Sequence, residues 1–106
     1  MRVLLDECLP RRLTRELVGH EVQTVPEAGW AGRKNGDLLL LIPGRFEAFI
    51  TIDRNLVFQH GVKGLQFGVV VLHAHTNRMV DLLPLVPRIL EVMARIRQGE
   101  IVSVGR

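Results

Sequence analysis

Cysteine, aromatic residues and long apolar runs are all scarce in this chain of 106 residues. The one cysteine, Cys8, cannot staple the chain to itself. That excludes a disulfide framework and points to a reducing compartment. Aromatics are 5% of the sequence and tyrosine is absent, so Leu, Val and Ile must supply most of the core. No apolar run approaches the roughly 20 residues needed to span a bilayer. The opening Met1-Arg-Val-Leu-Leu-Asp6 is interrupted by an acid too early for a signal peptide. A cytoplasmic protein with no membrane partner is the expectation.

What is present is enough for a fold. The hydrophobic fraction is 47%, and 106 residues can bury a core as a single domain, residues 1–106, without metal or disulfide. The formal charge is +3. An excess that small favours a polyanionic partner only weakly, so the placement of the basic residues matters more than their sum.

The apolar run Arg2 to Leu5 reads as a buried strand ending at Asp6 and Glu7. Pro10 suits a first helical turn, and Leu9, Leu13 and Leu17 recur every four residues, predicting an amphipathic helix stopped by Gly19. His20 to Val25 alternates polar and apolar, as an edge strand does. A glycine-rich loop carrying Trp30 follows. Asn35 could cap a helix from about Asp37 to Ile42, which Pro43-Gly44 ends. Phe46 to Ile52 and Phe67 to Leu72 read as central strands, with a short helix near Leu56 to His60 between them. The pattern from Asp81 to Arg97 predicts the longest helix, and Glu100 to Val104 a last strand. Alternating strands and helices predict a three-layer α/β/α sandwich around a mostly parallel sheet. Functional groups in such sheets gather beyond the carboxyl ends of the strands.

Asp6 and Asp53 both stand at such ends, and Asp37 opens a helix that would face the same cleft. Clustered carboxylates repel unless a cation neutralises them. Hard oxygen ligands suit Mg²⁺ or Mn²⁺, which can activate water against a phosphodiester. Each acid also has a plain structural role open to it: a turn former, or, for Asp37, a cap or first-turn acid.

The blocks Leu4-Leu5-Asp6-Glu7-Cys8-Leu9-Pro10, Lys34-Asn35-Gly36-Asp37 and Ile50-Thr51-Ile52-Asp53-Arg54-Asn55 together resemble the small prokaryotic PIN-like proteins. The resemblance covers nearly the whole chain. It implies a PIN-like fold and a metal-dependent ribonuclease with catalytic, metal-ligating Asp6, Asp37 and Asp53. It also implies an RNA substrate, a toxin role with an antitoxin protein as partner, and a possible homodimer. Many PIN domains carry a fourth acid; here His73-Ala74-His75-Thr76-Asn77 follows the Val69–Leu72 run, and no carboxylate appears before Asp81.

Arg33, Lys34 and Arg54 adjoin these acids and could hold RNA phosphates, or pair with the acids themselves. Asn55 could orient a water or phosphate, or stabilise its turn. Trp30 fits a core edge better than a base-stacking platform. His73 and His75 lack a third ligand at zinc-like spacing, and Cys8 lacks a neighbour that would activate it. Two other functions compete: a PIN-shaped partner-binding module without catalysis, and a phosphoacceptor receiver with Asp53 as the modified residue. Against the receiver, no lysine follows the final strand, where one would be needed beside the phosphate.

Overall fold

The computed structural model describes residues 1–55 and 65–105. Its strands are β1 (Arg2–Leu5), β2 (Glu21–Thr24), β3 (Ala48–Thr51), β4 (Gly68–His73) and β5 (Ile101–Gly105). Its helices are α1 (Leu13–Glu16), α2 (Asn35–Leu41), α3 (Met79–Leu82) and α4 (Val86–Met93), with a 3-10 turn over Leu83–Leu85. Among the described residues the strands form one sheet in the order β2-β1-β3-β4-β5, and every adjacent pair is parallel.

Side chains alternate across a strand, so consecutive residues serve opposite faces. Val3, Leu5, Ala48, Ile50, Val70 and Leu72 point to one side, under Leu13 of α1 and Ile89, Val92 and Met93 of α4. Leu4, Phe49, Val69 and Val71 point to the other, under Leu38 and Leu39 of α2 together with Ile42, Trp30 and Phe46. Both faces are therefore buried, which is why the central strands read as unbroken apolar runs. Full burial of one such side chain contributes about 1.5–3 kcal/mol. The result is the three-layer α/β/α sandwich that the alternation of elements predicts, with a radius of gyration of 12.4 Å.

Several elements differ in detail from the sequence expectation. The first helix is shorter. Its entry is built from three-residue turns, with Leu13 N–H on Pro10 O (3.0 Å), Thr14 N–H on Arg11 O (3.0 Å) and Arg15 N–H on Arg12 O (3.1 Å). The Thr14 hydroxyl also donates to Arg11 O at 2.7 Å, holding that turn tight. Leu9, Leu13 and Leu17 are nevertheless all buried, so the apolar stripe survives. Helix α2 starts at Asn35 with Lys34 in the cap position and no side-chain cap, so Asn35 is not the N-cap. The segment expected as one long helix from Asp81 is broken into α3, the 3-10 turn and α4, because Pro84 and Pro87 lack the N–H that a continuous helix needs. The short helix expected near Leu56 to His60 lies outside the described residues.

Candidate functional site

Strands β1 and β3 are neighbours, with Leu5 opposite Ile50. Their ladder extends past Leu5 through Asp6 N–H on Ile50 O at 2.9 Å. Asp6 shares the parity of Leu4, and Thr51 that of Phe49, so both belong to the α2 side of the sheet. Asp6 is 6% exposed and Thr51 is fully buried. A buried carboxylate needs partners, and Asp6 has them. Thr51 Oγ1 donates to Asp6 Oδ2 at 2.6 Å, and Glu7 N–H donates to Asp6 Oδ1 at 2.9 Å. The same threonine oxygen accepts Asp53 N–H at 3.0 Å. Thr51 thus fixes the carboxylate of one strand end against the backbone of the next.

Asp53 is half-buried, and its Oδ1 accepts Asn55 N–H at 2.9 Å, closing an Asx turn. Asn55 therefore stabilises the turn through its backbone, while its side chain is exposed. Glu7 is exposed and takes no part beyond its N–H. Cys8 lies against the same carboxylate. Burial pushes its thiol up to about 11, Asp6 adds to the rise through charge and a hydrogen bond, and contacts from Ile52 and Thr51 only partly offset it. Such a thiol is un-ionised and inert near neutral pH.

Asp37 sits exposed in the first turn of α2, where a negative charge meets the positive end of the helix. In a parallel sheet a helix returning from a strand begins at the carboxyl rim, so Asp37 shares that rim with Asp6 and Asp53. The three do not join in one cluster: among the described residues no group of three or more His, Cys, Asp and Glu side chains is arranged to hold a metal. Asp6 and Asp53, on adjacent strand ends, are the pair the fold brings together. Of the roughly four lone-pair sites of the Asp6 carboxylate, Thr51, Glu7 N–H and the Cys8 thiol take three, which leaves one for a cation that binds one or two carboxylates and keeps its waters.

Arg33 and Lys34 are exposed ahead of α2, and Arg54 is exposed beyond Asp53. The ion pairs among the described residues, Arg2–Glu47, Arg11–Glu27 and Arg95–Glu91, involve none of them. Trp30 is a core wedge. It is 7% exposed, meets Phe46 edge-on at 5.7 Å, and is covered by the Arg45 guanidinium at 5.3 Å. Asp81, the first carboxylate after β4, accepts the Thr76 hydroxyl and so serves the entry to α3.

The sequence reading missed Thr51. Its one signal is a polar residue at an inward strand position, two before an acid, where an apolar side chain would otherwise stand. Comparison with family models, curated proteins and solved structures gave no significant match.

Proposed function

We propose that this protein is a divalent-metal-dependent ribonuclease of the PIN-like kind, acting as the toxin of a toxin–antitoxin pair. The observation that carries the reading is the Asp6–Thr51–Asp53 arrangement at the ends of the neighbouring strands β1 and β3. Asp6 and Asp53 would hold Mg²⁺ or Mn²⁺, with Asp37 on the same rim. When bound, that ion supplies an activated water and offsets negative charge at the phosphodiester. The chain's own residues do the rest. Thr51 and Glu7 N–H hold the Asp6 carboxylate in one orientation. Arg54, next to Asp53 and exposed, offers a planar cation to phosphate oxygens. Arg33 and Lys34, exposed ahead of α2, would meet the flanking strand.

The experiment is cleavage of single-stranded RNA with Mg²⁺ or Mn²⁺ by wild type, Asp6→Asn and Asp53→Asn. Activity should need the metal and fall at least a hundredfold, the order of one lost positioning or electrostatic group in a hydrolase site, in either variant. Equal cleavage by all three would show a contaminant, and no cleavage by wild type would remove the proposal. Tight binding of a neighbouring-gene protein, without calorimetric metal binding, would replace it with a non-catalytic partner-binding module.

One observation favours a second reading. The order β2-β1-β3-β4-β5 is that of the doubly wound sheet shared by flavodoxin and CheY-type receivers. A receiver would accept a phosphoryl group on Asp53. Incubation with a small acyl-phosphate donor, followed by intact-mass measurement, would show one added phosphoryl group in wild type and none in Asp53→Asn.

A further inference from the structure

Beside the acid pair lies a feature of opposite sign. An open pocket of about 370 Å³ is walled by Arg54, His73, Ala74 and His75. That volume is at the lower end of small-ligand clefts. Thr51 stands opposite Val71 in the β3–β4 register, so two residues further along, the turn carrying Asp53 and Arg54 faces the end of β4 at His73. The pocket therefore sits between the ends of β3 and β4, on the side of Asp53 away from Asp6, at the same rim.

We infer that this pocket is a phosphate-binding subsite, formed by Arg54, His73 and His75 and filled by a phosphate group of the nucleic-acid strand. Three observations support the assignment. The named wall residues bring a guanidinium and two imidazoles and no carboxylate, and Arg54 is in no ion pair with a described residue. A guanidinium matches the geometry of phosphate oxygens with two parallel N–H donors. Second, His73 Nε2 is enclosed without a hydrogen-bond partner among the described residues. A polar atom in that state is costly, and a turn of the imidazole toward the adjoining pocket would let an oxyanion there answer it. Third, the wall is held at both ends. His73 is paired with Gly105 of β5, and the Asn77 side chain donates to Cys8 O at 2.8 Å, tying the segment after β4 to the turn that follows Asp6. A pocket with fixed walls orders little on binding.

The role in catalysis rests on the ribonuclease reading, in which the pocket seats a phosphate beside the scissile one. The binding itself needs neither metal nor turnover, so it is tested apart. In metal-free buffer, inorganic phosphate and a dinucleoside monophosphate are titrated into the full chain while the imidazole C–H resonances are followed by NMR. Saturable shifts should appear at His73 and His75 and leave His20 unmoved. Arg54→Gln and His75→Gln, both at exposed positions, should fold normally, and each should weaken binding about tenfold, the order of one charge-assisted hydrogen bond. Preference for the diester assigns the pocket to backbone phosphate, and preference for inorganic phosphate assigns it to a terminal one. Absence of saturable shifts at His73 and His75 with either probe, or unchanged affinity in both variants, overturns the inference. Phosphate binding without metal-dependent RNA cleavage would sustain the pocket and sink the nuclease. Cleavage lost in Asp6→Asn, with a silent pocket, would do the reverse.

Discussion

Replacing Thr51 by valine keeps its shape and removes its oxygen, which makes it a direct probe of the link between the ends of β1 and β3. In the folded chain that oxygen donates to the buried Asp6 carboxylate at 2.6 Å and accepts Asp53 N–H at 3.0 Å. Hydrogen bonds to charged groups contribute roughly 1.5–3 kcal/mol net. Asp53 is half-buried, so water can partly replace the second bond. The extra methyl of valine returns about 0.8 kcal/mol of burial. The balance is a loss of about 2 kcal/mol for Thr51→Val, or a melting temperature lower by about 8–16 °C for a domain of this size. Thr51→Ser keeps the hydroxyl and loses one methyl, costing about 1 kcal/mol. Urea unfolding followed by fluorescence of the single Trp30, with far-ultraviolet circular dichroism as a second probe, measures both. The order matters more than either value: serine should be the milder change. If valine proves as stable as wild type and serine the worse, the site is held by apolar packing and the bridging oxygen is incidental.

Two further outcomes follow from the same rim. Cys8 has a folded-state pKa raised to about 11 from the ordinary 9.0, so the thiol form is favoured by folding. Its contribution to stability is complete below about pH 9 and is lost as pH rises through about 11. The urea midpoint of wild type should fall more steeply over that window than that of Cys8→Ala, and parallel curves would contradict the assigned environment. Gly105 has φ +103° and pairs with His73; a Cβ there would stand 2.3 Å from His73 O. Gly105→Ala should therefore cost about 1–3 kcal/mol in a thermal melt and disturb the phosphate pocket, whereas an unchanged melting temperature would show that β5 ends before this residue.

The sandwich was legible because burial on both faces leaves a plain trace: Val3 to Leu5, Phe49-Ile50 and Val69 to Leu72 are apolar at every position. The alternation of Glu21, Val22, Gln23 and Thr24 likewise marked β2 as an edge. What periodicity cannot show is where a helix gives way. The apolar face runs through Leu82, Leu85 and Ile89 as though uninterrupted, yet the backbone donors missing at Pro84 and Pro87 divide it. The site was half legible. Acids after Leu5 and Ile52 announce strand ends, but whether strands are neighbours is a tertiary fact, and so the bridge from Thr51 to Asp6 could not be read. Asp37 illustrates the converse. Its sequence position is equally suggestive, yet it sits in the first turn of α2, exposed and outside any described three-ligand group.

Asp6 and Thr51 are separated by 45 residues of chain. No local stretch can assemble the acid pair, because closing so long a loop must precede the contact it rewards. Whatever chemistry this rim performs will return during refolding only when β1 and β3 zip together. Regain of activity would then serve as a clock for that late, long-range event.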